Sequence, residues 1–172
     1  MLAGYKRVII LLLRNIVMCV GTITFAFLPI MAQDFTFEGG RKTQSISFKF
    51  IKNLIIIPIH INNKGPFNFV LDTGVGPMII TDPTIIDSLD FDKMRRIKLM
   101  GLGEQEVEAY ISQILNVKIG EARLNNIPAA VLKEDLFNLS GYLGLKIYGL
   151  IGYSFFNSFI VDVKYGRNVL KF

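Results

Sequence analysis

After residue 33 the chain is a series of short apolar segments separated by turn residues, and this pattern most constrains the fold. The clearest segment, residues 54–61, is rich in β-branched side chains and contains Pro58. A turn at residues 62–66 follows, and residues 67–71 form a second apolar segment. Short apolar runs bounded by Gly, Pro and Asn are typical of β-strands. Because Pro58 lacks a ladder donor, we expect it at an edge or a bulge.

The same pattern predicts an all-β domain with one or two short helices. Residues 35–37 and 45–50 are predicted to pair as an N-terminal hairpin, and residues 159–163 and 169–172 as a C-terminal one. Asp82 followed by Pro83 predicts a helical start, so residues 83–89 are expected to form one or two helical turns. Further strands are predicted at residues 96–100, 107–115, 117–119 and 127–132, and a helical turn after Asp135. Many short apolar strands are most simply buried in a small closed β-barrel.

The positive charge of the chain is concentrated in its first 32 residues. The formal net charge is +5, but residues 1–32 contain Lys6, Arg7 and Arg14 and no acid. The remaining residues therefore hold 16 bases and 14 acids, a net charge of +2. A nearly neutral body lacks the basic excess of a nucleic-acid-binding protein, so no nucleic-acid partner is expected.

Residues 1–32 have the pattern of an export signal. Lys6 and Arg7 precede an apolar run, and a second run at residues 16–32 is 17 residues long. That length lies between a signal core of about 7–15 residues and a membrane span of about 20. We expect cleavage after Ala32. The alternative is that residues 16–32 are retained as a membrane anchor. In both cases we expect a location in the periplasm or cell envelope.

Cys19 is the single cysteine, so the body holds no disulfide.

Asp72 is the residue with the clearest chemistry. The apolar segment at residues 67–71 runs directly into Asp72-Thr73-Gly74. A carboxylate after a buried strand is unusual because burying an isolated charge is costly. A glycine two positions later lets the backbone approach and donate its N–H to the carboxylate. The tripeptide alone is also typical of an Asx-type turn at a strand end, so its context decides.

That context resembles the retropepsin-like (retroviral-type) aspartic peptidases, and specifically their exported bacterial relatives. The first shared feature is the apolar strand ending in Asp72-Thr73-Gly74, which forms the catalytic loop of that family. The second is a glycine-rich segment at the position of the family's substrate-binding flap, Gly101-Leu102-Gly103.

Two further features follow in the family's order. The strands predicted at residues 107–119 and 127–132 correspond to the return of the flap and the body sheets. Gly149-Leu150-Ile151-Gly152 matches the family's hydrophobic-hydrophobic-glycine signature, which packs beneath the catalytic loop and supports it. The resemblance also implies a short helix at residues 153–158. The implied organisation is a signal or anchor at residues 1–32, a β extension at 33–50 and a peptidase domain at 51–172.

Three features depart from the family pattern. Val75 stands where the family usually has Ala or Ser, and residues 133–147 resemble an insertion. The acidic residues Glu104, Glu106 and Glu108 follow the predicted flap, where viral flaps are mostly apolar. Longer relatives often carry a PDZ domain after the peptidase unit, and this chain stops before one could begin. These departures keep a second hypothesis open, a non-catalytic module that binds peptide or scaffolds a partner in the cell envelope.

The resemblance implies an aspartic endopeptidase that uses an activated water. One Asp-Thr-Gly is present, and the mechanism needs two carboxylates that share a proton, so the second Asp72 must come from another copy. We therefore expect a homodimer that acts on a peptide or protein substrate and uses neither a cofactor nor a metal.

Other candidate sites have simpler interpretations. Asp82, Asp87, Asp90 and Asp92 lack the spacing and turn glycine of a calcium loop and are expected to lie on a solvated surface. His60, the single histidine, cannot anchor an ordinary zinc site and is expected to face solvent. Four bases within residues 93–98 are expected to lie on a solvated face.

Overall fold

The computed structural model describes residues 34–87, 89–100, 106–112 and 114–172. The strands in these residues are β1 (Thr36–Phe37), β2 (Ser45–Ser47), β3 (Lys49–Ile51), β4 (Leu54–Ile61), β5 (Lys64–Leu71), β6 (Ile79–Ile80), β7 (Arg96–Met100), β8 (Glu106–Ile111), β9 (Leu115–Ile119), β10 (Ala122–Ile127), β11 (Ala130–Val131), β12 (Gly149–Ile151), β13 (Asp162–Lys164) and β14 (Val169–Lys171). The α-helices are α1 (Leu139–Leu143) and α2 (Tyr153–Ser158), and 3-10 turns lie at Glu38–Gly40, Pro83–Ile85, Phe91–Lys93 and Tyr165–Arg167.

Most of the described strands form one large mixed sheet. Its order is β1-β10-β9-β4-β5-β12-β6-β11-β8-β7, and β3 pairs with β4 beside this path. A second sheet has the order β13-β14-β2. The all-β prediction is confirmed, although the large sheet of the described residues follows an open path and does not close into a barrel.

Two tight turns fix the register around the longest strands. Lys52 and Asn53 join β3 to β4 with φ values of 47° and 65°, and Asn62 and Asn63 join β4 to β5 with φ values of 48° and 65°. Two successive left-handed residues make the type I′ turn, whose twist matches that of a hairpin. Asn tolerates this conformation well, so the sequence explains the turn at Asn62 and Asn63. A lysine in left-handed backbone, as at Lys52, is unusual.

Pro58 lies inside β4 at a place where the pairing on one edge changes. On that edge β3 pairs with residues 54–56 and β9 with residues 60–61, while β5 pairs along the opposite edge. Pro58 therefore lies between two partners and is exposed, as expected for a residue without an N–H.

The predicted N-terminal hairpin is wrong, because its two halves have different partners. β1 pairs with β10, and β2 pairs with β14. Gly39 and Gly40 both have positive φ within the 3-10 turn, which directs the chain away from β1. The buried rings of Phe35 and Phe48 then fix the segment onto the body, so the N-terminal extension is part of the fold.

Other predicted elements have the right type but different limits. The strand expected at residues 107–115 ends at Ile111, and that at residues 127–132 shortens to Ala130–Val131. β10 was not predicted, because Arg123 and two asparagines interrupt its apolar alternation. The described part of residues 83–89 contains the 3-10 turn Pro83–Ile85 and no longer helix, whereas α2 and the β13–β14 hairpin are confirmed.

Two apolar clusters pack against opposite faces of the β4–β5 hairpin. The larger one includes Phe69 and Leu71, together with the rings that α2 and the termini supply, Phe35, Phe155 and Phe172. The smaller one is built from Ile56, Val70, Leu143 and Ile147, and places α1 on the other face of the sheet. The strand that leads to Asp72 is therefore covered on both sides.

Some expectations fall on residues that the structure does not describe. The signal or anchor at residues 1–32 and the flap glycines Gly101 and Gly103, with Leu102 between them, lie outside the described residues. No helix among the described residues is long and apolar enough to cross a membrane.

Candidate active site

Asp72 lies at the surface, one residue beyond the buried end of β5. Val70 and Leu71 are buried, whereas Asp72, Thr73 and Gly74 are exposed. The backbone N–H of Asp72 donates to the carbonyl oxygen of Ile151 at 2.9 Å, which extends the parallel pairing of β5 with β12 by one bond. The carboxylate therefore follows the end of an interior strand, paired on both sides, and is exposed, so it carries no large desolvation penalty in the single chain.

The loop after Asp72 is held by three backbone donors. The N–H of Gly74 donates to Asp72 Oδ1 at 2.9 Å, and the N–H of Val75 donates to the Asp72 carbonyl oxygen at 3.1 Å. The N–H of Tyr153, at the start of α2, donates to the Val75 carbonyl oxygen at 2.8 Å. The bond from Gly74 orients one carboxylate oxygen and leaves the other free to act on a ligand. The side chain of Val75 is buried, so it packs into the body instead of lining the exposed loop.

Two glycines of the C-terminal signature permit close contact beneath this loop. A Cβ at Gly152 would overlap the Asp72 carbonyl oxygen and lie 2.9 Å from the Val75 carbonyl oxygen. A Cβ at Gly149 would overlap the Ile79 carbonyl oxygen and approach the Phe69 ring. β12 lies between β5 and β6, so these positions require a residue without a side chain. Ile151 and Gly152 thus contact the Asp72 loop, whereas Gly149 and Leu150 pair with Phe69 and Val70 of β5.

The hairpin of β7 and β8, which leads to and from residues 101–105, is polar on one face and apolar on the other. Glu108 lies 3.5 Å from Arg96, and Glu106 pairs with Lys98. On the other face Ile97, Leu99, Val107 and Ala109 pack against β11. Glu106 and Glu108, two of the acidic residues that depart from the family pattern, are therefore paired with bases of the neighbouring strand, and Glu104 lies outside the described residues.

The remaining candidates have structural roles. Among the described residues no group of three or more His, Cys, Asp or Glu side chains is placed to hold a metal. Asp90 pairs with Lys93 at 2.9 Å and Asp87 with Lys64 at 2.5 Å. His60 is half-buried: it alternates with the buried Ile59 and Ile61, and its Nδ1 atom is buried.

Asp82 is the acid with the most partners in this group. Its Oδ1 accepts from the N–H of Thr84 at 3.0 Å, and its Oδ2 lies 2.5 Å from Lys146 Nζ. Burial alone would raise the pKa of Asp82, but the hydrogen bonds from Lys146 and Thr84 outweigh burial and hold that pKa below its ordinary value of 3.8. The same pairing raises the pKa of Lys146. This ion pair joins the segment after β6 to the segment before β12.

We expect Asp82 to make the fold less stable in acid. Its lowered pKa means that ionised Asp82 stabilises the folded state above pH 3.8, and that this stabilisation is lost as the pH falls through the folded-state pKa. In urea unfolding between pH 2 and 6, the free energy of unfolding should fall more steeply with decreasing pH for the wild type than for Asp82→Asn. Asp162→Asn, which changes an exposed acid, is the control and should behave like the wild type. Equal slopes for the wild type and Asp82→Asn would contradict this assignment.

The chain is similar to known proteins in sequence pattern and in fold. A family model described as aspartyl protease matches residues 57–155. No curated protein sequence matches the chain. Among solved structures, the chain is similar to the crystal structure of a retropepsin-like aspartic protease from Rickettsia conorii, with a TM-score of 0.53 and 20% sequence identity. The match covers 81% of this chain and 95% of that one.

Proposed function

Because this chain belongs to the aspartyl protease family, we propose that it is an endopeptidase whose active site forms from two copies of the chain. The observation that carries the proposal is the geometry at Asp72, an exposed carboxylate on a rigid strand end, oriented by the N–H of Gly74. The chain supplies one Asp-Thr-Gly, and hydrolysis of this kind needs two carboxyl groups, so the second is Asp72 of another copy.

The two carboxyl groups act as one acid–base unit. At about 3 Å apart they cannot both ionise, so the pair shares one proton. The ionised member accepts a proton from water as the water oxygen attacks the scissile carbonyl carbon, and the protonated member donates to the carbonyl oxygen. The tetrahedral intermediate then collapses: one of its hydroxyl groups returns a proton to the pair as the C=O bond re-forms, the C–N bond breaks, and the amine leaves with the proton that the pair took from water. These steps require no metal and no covalent intermediate.

The residues around Asp72 have supporting roles in this proposal. Gly74 orients each carboxylate through its N–H, and Thr73 hydrogen-bonds across the two-fold axis to fix the two loops. Gly149 to Gly152 support the loop from beneath. Gly101, Leu102 and Gly103, which lie outside the described residues, are assigned in this proposal to the flap that binds an extended peptide. The enzyme acts in the periplasm or cell envelope, to which residues 1–32 direct it.

The dependence of activity on enzyme concentration tests the proposal. Residues 33–172 should cleave an unfolded protein such as casein with a specific activity that rises with enzyme concentration and then saturates, because the monomer holds half of a site. The rise should coincide with dimer formation in analytical ultracentrifugation, and a statine inhibitor should block cleavage. Specific activity that is constant across the monomer–dimer transition would contradict the shared site. A folded dimer that binds peptide without cleaving it would favour the non-catalytic module.

A further inference from the structure

The side chain of Asp72 belongs to the face of the sheet that α1 covers. Along β5 the side chains alternate, so that Phe69 and Leu71 enter the larger cluster and Val70 packs against Leu143 on the opposite face. Asp72 follows Val70 by two residues, and its N–H continues the pairing with β12. Since side chains two residues apart along a strand share a face, Asp72 projects on the side of α1.

The turn between β3 and β4 lies beside the Asp72 loop. Ile55 of β4 pairs with Leu71 of β5. Extending this antiparallel register by one residue places Leu54 next to Asp72, and neighbouring strands are about 5 Å apart. Lys52 occupies the turn two residues before Leu54, and its side chain is exposed. A lysine side chain therefore lies within reach of any peptide bound at Asp72.

Lys52 is held in place by α1. Its Nζ donates to the carbonyl oxygen of Tyr142 at 2.5 Å and lies 4.1 Å from the centroid of the Tyr142 ring. Tyr142 is 55% exposed. A cation over an aromatic face is stabilised by the ring quadrupole, and an ammonium group has three donors. One donor is used by the Tyr142 carbonyl, which leaves two N–H groups for a ligand.

We propose that Lys52, positioned by Tyr142, is a specificity residue that binds an acidic side chain of the substrate close to the scissile bond. The inference rests on the proposed function, since it assigns a substrate class to the same cleft. Two bases of the β7–β8 hairpin, Arg96 and Lys98, are paired with acids of the same hairpin, whereas Lys52, in the turn between β3 and β4, contacts the neutral Tyr142. A carboxylate complements its charge and accepts both remaining donors.

Cleavage profiling of a peptide library tests this assignment. A library made by digesting an unfolded proteome is treated with the wild-type dimer, and the cleaved bonds are identified by mass spectrometry. We expect Asp and Glu to be enriched at one position near the scissile bond, and Lys52→Met to abolish the enrichment. For a pair of peptides that differ only in Glu or Gln at that position, the wild-type preference in kcat/KM should be about fivefold, as expected for a partly exposed ion pair.

Two further variants separate a specific role from a general one. Lys171→Met removes an exposed lysine on β14 and should leave the preference unchanged. Tyr142→Leu keeps the charge of Lys52 but removes the ring that holds it, so the preference should fall only in part. A Lys52→Met enzyme that loses kcat/KM equally for the Glu and Gln peptides would overturn the proposal, because Lys52 would then act on the Asp72 pair and not on the substrate side chain.

A binding measurement distinguishes failure of this inference from failure of the proposed function. The Asp72→Asn protein is used to capture peptides from the same library, which are identified by mass spectrometry, and is compared with Asp72→Asn combined with Lys52→Met. If acidic peptides are enriched only when Lys52 is present, the acidic subsite is supported. If the wild type also fails to cleave, the peptidase is refuted while the subsite stands. Cleavage by the wild type without any acidic preference in either measurement would refute the subsite alone.

Discussion

Replacing Asp72 by Asn should lower kcat/KM for peptide hydrolysis by at least about a thousandfold, because general acid–base catalysis contributes about 10²–10⁴-fold and both carboxyls of the proposed pair are lost together. The amide has nearly the shape of the carboxylate, and its Oδ1 can still accept from the N–H of Gly74. Asp72 is exposed, so the substitution leaves no buried charge unpaired. The folded structure should therefore persist while the chemistry is lost.

The controls for Asp72→Asn separate catalysis from folding and assembly. The variant should match the wild type in thermal unfolding and in dimer affinity, and Asp162→Asn, which changes an exposed acid on β13, should keep full activity. Subunits mixed in equal amounts and allowed to exchange should have about one quarter of the activity of the wild-type dimer, since only dimers with two Asp72 carboxyls are active. Normal cleavage by the purified variant would remove Asp72 from the mechanism.

Local sequence patterns predicted the parts of the fold that local physics decides. Asn62 and Asn63 favour left-handed backbone, so the turn that brings β5 back along β4 can be inferred directly. Gly74 follows Asp72 at the spacing that an N–H to carboxylate bond needs, and the structure has this bond. α2 follows Gly152 as the family resemblance implies.

The choice of strand partners could not be predicted in the same way. β1 and β2 have strand-like sequences, but their partners, β10 and β14, are 85 or more residues away, and burial of Phe35 and Phe48 selects them. The contact of Lys52 with Tyr142 joins residues 90 apart in the sequence, and no periodicity relates them. A surface lysine in a turn gives no sequence signal for its proposed role.

Replacing Gly152 by Ala should destabilise the domain by well over about 3 kcal/mol, which is the upper end for ordinary overpacking of a core. The added methyl group would overlap the Asp72 carbonyl oxygen and lie 2.8 Å from the Asp72 carbonyl carbon. These are backbone atoms, so no side chain can rotate to make room. The loop could move only by giving up the bond from Asp72 to Ile151 or the bond from Tyr153 to Val75. We expect a large drop in the midpoint of urea unfolding, or a protein that is unfolded when purified.

Matched alanine substitutions show whether this effect is specific to the contact beneath Asp72. A Cβ at Gly166, in the turn between β13 and β14, would meet nothing within 4 Å, so Gly166→Ala should be within about 1 kcal/mol of the wild type. Gly76 lies close to the Asp72 loop, two residues after Gly74, and a Cβ there would also meet nothing within 4 Å. Gly76→Ala should therefore be as stable as Gly166→Ala. If Gly152→Ala were as stable as these two variants, the close packing of β12 against the Asp72 loop would be wrong. If the Gly152→Ala protein were folded but inactive, the packing of β12 against the loop would serve to position the Asp72 carboxylate. A displaced loop moves Asp72 away from its symmetry mate.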